Sequence, residues 1–145
     1  MNELNFLFLE EFKNLEKICG EIYEVSTGGV TEYINDMKNV SIREYKDIPN
    51  WKEDLNDLKR VRHIRNRLAH EQGAFDEITC KQDDIDWIKM FHDRLSRQSD
   101  PMAMLNKKKS SEERVDFSWK KVVLAVVLFA VLTVIGNMII AYSLS

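Results

Sequence analysis

The sequence predicts an all-α protein, a small four-helix bundle followed by one C-terminal transmembrane helix. Three observations point there. Before residue 97, apolar residues recur at three- and four-residue spacing through four stretches. No segment alternates apolar and polar residues long enough to make a strand. Val122 to Tyr142 is apolar throughout, apart from Thr133 and Asn137, and carries no charge.

Composition excludes several classes. Hydrophobic residues are 44% and charged residues 31% of the 145, so the chain is neither disordered by composition nor apolar throughout. Cys19 and Cys80 are too few for a disulfide framework and form no C-x-x-C pair. The net charge of −3 excludes nucleic-acid binding by bulk charge, so any such binding needs a local patch.

The first helix runs from about Leu4 to Val25, with Leu4, Phe8, Phe12, Leu15, Ile18, Ile22 and Val25 on one stripe. Phe6, Phe8 and Phe12 widen that stripe, as a dimer face or as the side other helices cover. Gly28-Gly29 ends it. A short second helix carries Val30, Tyr33, Ile34 and Met37 on one side, and Asn39 to Pro49 reads as irregular. Asn50 predicts an N-cap with Glu53 at the third helical position. The third helix follows with Leu55, Leu58, Val61, Ile64 and Leu68, and stops near Glu71 to Gly73. Thr79 to Gln82 is a second capping-box pattern. It opens a fourth helix with Ile85, Ile88, Phe91 and Leu95 inward. Ser96 to Ser118 is polar and reads as a linker, with Met102, Met104 and Leu105 able to pack on the bundle. The expected layout is a bundle over 1–97, a linker over 98–118 and an anchor over 119–145.

Val122 to Tyr142 would span about 30 Å as a helix, the thickness of a hydrocarbon core. Lys107, Lys108, Lys109, Arg114, Lys120 and Lys121 precede it, and no charge follows. The positive-inside rule then puts the N-terminal domain in the cytoplasm and the C-terminus outside. Trp119 and Tyr142 flank the span as interfacial aromatics. Thr133 and Asn137 lie on one helix face, where they would bond a second copy of the helix or their own backbone. Membrane lipid is thus one expected partner.

Lys59 to His70 reads KRVRHIRNRLAH, the one strongly basic stretch in an acidic domain. Arg62, Asn66 and His70 form an i, i+4 ladder. Arg65 falls between Val61 and Leu68 in the apolar rhythm. Burying it unpaired would cost several kcal/mol, so it should meet an acid, a second subunit or a ligand phosphate. The bland alternative is a solvated basic face whose arginine stems cover apolar surface. No metal site is expected, since His63 and His92 lack ligand spacing, and no cofactor motif occurs. Asp83, Asp84 and Asp86 open the fourth helix, where acids complement the helix dipole.

Arg65-Asn66-Arg67-Leu68-Ala69-His70 has the form R-N-x-x-x-H at a helix end. This resembles the signature of HEPN domains (higher eukaryote and prokaryote nucleotide-binding), over roughly residues 1–97. The resemblance implies a compact helical bundle that dimerises, so that two motifs form one cleft. It implies a metal-independent endoribonuclease with Arg65, Asn66 and His70 as catalytic residues. His70 would take the ribose 2′-OH proton, Arg65 would meet the phosphorane's charge, and Asn66 would hold a phosphate oxygen or orient His70. Lys59, Arg62 and Arg67 would contact RNA phosphates.

Two functions are therefore expected. One is a membrane-tethered, dimeric ribonuclease of the toxin or defence kind. The other is a non-catalytic, tail-anchored module that holds a partner protein, nucleotide or RNA with the same basic helix.

Overall fold

A computed structural model describes the backbone of residues 3–73, 75–76 and 80–143, and their side chains except at 113, 115–118 and 136–143. The described residues form helices and connecting turns, with no strand, so the protein is all-α. The chain divides into two compact units, residues 1–105 and 106–145.

The first unit is built around α1 (Glu3–Tyr23), which packs on α2 (Gly29–Asn39), α4 (Trp51–His70) and α5 (Gln82–Ser96). Phe8, Phe12, Leu15 and Cys19 of α1 are buried, at the three- and four-residue spacing of a helix face. Other helices therefore cover Phe8 and Phe12, while Phe6 and Ile22 are exposed. The stripe passes through Cys19 rather than Ile22 near the helix end.

Two glycines let α1 and α2 touch backbone to backbone. A Cβ on Gly29 would fall 2.3 Å from the Gly20 nitrogen. Gly28 holds the left-handed φ of 81° that a side chain disfavours. Glu16 of α1 reaches across and accepts the Gly28 and Val30 N–H groups, which supplies an anion to the start of α2. Val30, Tyr33, Ile34 and Met37 are all buried, as their spacing predicts.

The stretch expected to be irregular contains a short helix, α3 (Ile42–Tyr45). Ser41 caps it, and its N–H and hydroxyl both donate to the Glu44 carboxylate. Tyr45 then stacks on Trp51 with ring centroids 5.0 Å apart. Asn50 precedes α4, but in a left-handed conformation (φ 56°) with no side-chain cap bond. It acts as a tight turn residue instead of the expected cap. Trp51, Asp54, Leu58, Val61, Ile64 and Leu68 are the buried residues of α4. Helix α5 opens with the Lys81 N–H donating to Asp84 at 2.8 Å. Thr79 of the expected cap lies outside the described residues. Ile85, Ile88, Phe91 and Leu95 are buried as expected.

Two ion pairs clamp α4 to α5. Arg94 grips Asp54 through both terminal nitrogens at 2.9 and 2.8 Å, and Arg60 meets Asp84. Such fork-to-carboxylate contacts fix the register of two helices.

Helix α6 (Pro101–Ser143) covers most of the segment that the sequence presents as a linker. Proline at its first position and Asp100 just before it explain the start. Asp100 Oδ1 accepts the Ala103 N–H at 3.1 Å. Leu105 is buried, and Met102 and Met104 pack against the core.

In the second unit, Trp119 and the apolar side chains from Val122 to Ile135 are exposed. Thr133 donates to the carbonyl of Ala130 at 2.7 Å, so its hydroxyl bonds its own backbone. Among the described residues no helix is long and apolar enough to cross a membrane. This overturns the expected single-pass anchor, with its cytoplasmic N-terminal domain and its external C-terminus. The anchor residues Asn137 and Tyr142 lie outside the described side chains.

Candidate functional site

Residues 1–105 carry 21 acids and 15 bases, and five of those bases lie between Lys59 and Arg67 on α4. Helical geometry sorts them. With 100° per residue, the buried residues of α4 cluster about the direction of Val61 and Leu68. The opposite direction is occupied by Lys52, Lys59, His63, Asn66 and His70, all exposed and within a wedge of about 60°. Arg62 flanks that wedge, half-buried, and donates to Thr31 Oγ1 at 3.4 Å.

The acids of α4 lie elsewhere. Asp54 is buried against Arg94. Asp57 binds Arg60 at 2.9 Å, and Glu53 sits on the same edge one turn earlier. The outward wedge therefore holds no carboxylate over its length of about 27 Å from Lys52 to His70.

The motif residues do not converge within the chain. Arg65 and His70 are both exposed and about 140° apart around α4. Arg65 donates to Asn66 Oδ1 at 3.2 Å. Ile64 takes the core position that the apolar rhythm offered to Arg65, so Arg65 has no burial to offset. Arg67 is paired with Glu71 at 2.8 Å. Of the expected phosphate contacts, Lys59 and Arg62 belong to the carboxylate-free side and Arg67 does not.

Lys52 is the residue that sequence reading passed over. It lies seven residues before Lys59, two helical turns, and the signal was the Trp51 start of the helix.

Nothing in this face resembles a metal centre. Among the described residues no group of three histidine, cysteine or acidic side chains could hold a metal ion. The two thiols are buried. Cys19 is pushed up to about 12 by burial, with the Glu16 and Asp100 charges adding. Such a thiol is a poor nucleophile at neutral pH.

Residues 6–124 match the model of a family of unknown function, DUF6548. No curated protein and no solved structure matches. No HEPN family matches, although the matched range contains the whole R-N-x-x-x-H stretch. The HEPN resemblance is overturned, because its six-residue pattern also arises from a solvated basic edge on an ordinary amphipathic helix. The matched range covers the bundle and the first half of α6, and by it the chain belongs to the DUF6548 family.

Proposed function

We propose that the first unit is a non-catalytic binding module whose α4 presents a track for the sugar-phosphate backbone of RNA. The observation that supports this reading is the outward wedge of α4. Lysine and histidine recur there at one- and two-turn intervals, with Arg62 beside them and no acid among them. Lys59 and Arg62 lie three residues apart, within one turn of about 5.4 Å, a spacing that suits neighbouring phosphates of a single strand. The acidic remainder of the unit repels a polyanion, so contact is confined to this track.

The same geometry argues for binding without cleavage. Arg65 and His70 diverge by about 140°, so one chain does not aim both at one phosphodiester. No phenylalanine, tyrosine or tryptophan lies on the wedge, so bases lack a large stacking platform and sequence preference is low.

The test is fluorescence anisotropy of a labelled single-stranded RNA of about 20 nucleotides with the full chain, across a salt series. With three to four phosphates neutralised, the slope of log K against log salt is about −2 to −3. Replacing Lys59 and Arg62 together by alanine reduces that slope by about 1.4 and weakens binding about tenfold or more at low salt. The RNA stays intact throughout. Undetectable binding at low salt, or the same affinity in the double variant, defeats the proposal.

A further inference from the structure

A cavity elsewhere in the first unit has the opposite chemistry to the outward wedge of α4. It has a volume of about 430 Å³ and lies where the first turns of α4, the middle of α5 and the first turn of α6 meet, all within the first unit. That volume is in the range of small-ligand sites, roughly 300–1,000 Å³.

Its walls combine carboxylates with apolar surface. Arg94 lines it, but both terminal nitrogens of Arg94 are held by Asp54, and its guanidinium lies 5.4 Å from the Phe91 ring centroid. The Asp54–Arg94 pair is thus a closed, neutral part of the wall that offers little to an anion. Glu53 and Asp57 also line the cavity. They are four residues apart on α4, so their Cβ atoms are about 5–6 Å apart. Glu53 is exposed and has no cationic partner among the described residues. Asp57 shares only the exposed Arg60.

The apolar wall is supplied by Trp87 and Met90 of α5. Trp87 stacks one ring face on Phe91, with centroids 4.9 Å apart. Met90 is 47% exposed although it is a large apolar side chain. An indole face suits a cation and its adjoining methylenes.

We propose that this cavity binds a linear aliphatic diamine, one ammonium at Glu53, the other at Asp57, and the methylene chain along Trp87 and Met90. Two carboxylates at that separation select two positive charges on one short stem. An inorganic cation would leave the apolar wall unused, and an anion would meet an excess of negative charge. The site is separate from the outward wedge of α4, and its test does not depend on RNA binding.

The experiment is isothermal titration of the full chain with 1,4-diaminobutane, with tryptophan fluorescence recorded in parallel. A saturable 1:1 heat and a change in tryptophan emission are expected. Glu53→Gln, at an exposed position, weakens binding about tenfold. Butylamine, with one ammonium, binds the unaltered chain weaker by about the same factor. Trp87→Leu removes the emission change, while Lys59→Ala alters neither signal. Circular dichroism verifies that each variant keeps its helices. Absence of saturable heat up to about 10 mM overturns the proposal. So does diamine affinity unchanged in Glu53→Gln and Trp87→Leu, which would report general attraction to an acidic surface.

Discussion

Tyr33 donates its phenolic hydrogen to Asp100 Oδ1 at 2.6 Å, and both residues are buried. The same carboxylate oxygen accepts the Ala103 N–H, and the Tyr33 oxygen accepts the Met102 N–H at 3.3 Å. A side chain of α2 therefore holds the capping residue of α6, and the first turn of α6 is tied into the core through one phenol. Burial, together with the Asp100 charge and hydrogen bond, holds the Tyr33 hydroxyl well above its usual range, so it remains a donor.

Tyr33→Phe deletes that donor while keeping the ring, which packs edge-on to Phe91 at 5.6 Å. It leaves the Asp100 carboxylate and the Met102 N–H short of a partner, and should destabilise the chain by about 1–3 kcal/mol. Urea unfolding followed by circular dichroism measures this. A loss below about 0.5 kcal/mol would show that the phenol does not secure α6.

Arg94→Leu strands the buried Asp54 carboxylate and should cost about 3–5 kcal/mol. Burial already raises the pKa of Asp54, and its hydrogen bonds and charge pairing with Arg94 oppose the rise. Without Arg94 the folded-state pKa rises further above the unfolded value. The variant is then least penalised in acid, below the unfolded pKa, and loses stability as pH climbs through the folded one. Removing both partners, as Asp54→Leu with Arg94→Leu, should restore most of the loss at neutral pH. Equal instability of the single and double variants would contradict this account.

Cys19 sets an alkaline limit. Its folded-state pKa of about 12 exceeds the ordinary thiol value of 9.0. The stability it contributes is complete below about pH 9 and is lost as pH rises toward 12. Tyr23 and Tyr33, both raised chiefly by burial, act in the same direction at higher pH. The urea midpoint should fall between about pH 9 and 11, and more steeply than in Cys19→Ala. Parallel pH profiles for the two proteins would remove Cys19 from the explanation.

Gly29→Ala places a methyl 2.3 Å from the Gly20 nitrogen, a backbone atom that cannot move aside. Helices α1 and α2 must separate, at about 1–3 kcal/mol or more. Gly73→Ala is the comparison. Nothing lies within 4 Å of its added Cβ, so only its φ of 81° is penalised, by about 1–2 kcal/mol. Thermal melts of both variants check the order, which reverses if the crossing is looser than its distances say.

Much of the first unit was legible in the chain. Phe8, Phe12, Leu15, Val30, Tyr33, Ile34, Leu58, Val61, Ile85 and Ile88 all declare themselves by spacing, because a helix buries one stripe whatever it packs against. Helix starts were less readable. Asn50 has the composition of a cap but lies in a left-handed turn, since its side chain competes with its own backbone for either role. Polar composition concealed α6, because charged residues favour helix as readily as linker when solvent surrounds them.

The order of residues determined the helical class, the inward stripes and the basic character of α4, since periodicity and charge are local properties. The folded chain decided which of those charges are free. Arg60, Arg67 and Arg94 are paired with acids, whereas Lys52, Lys59, His63 and His70 share an acid-free face. It also decided that Glu16 serves α2 and that Glu53 and Asp57 share a cavity with Trp87. The Arg60–Asp84, Arg94–Asp54 and Glu16–Val30 pairings join residues on different helices. Their distances are set by how the helices cross and by the rotamers packing allows, and neither is written in the spacing along one helix.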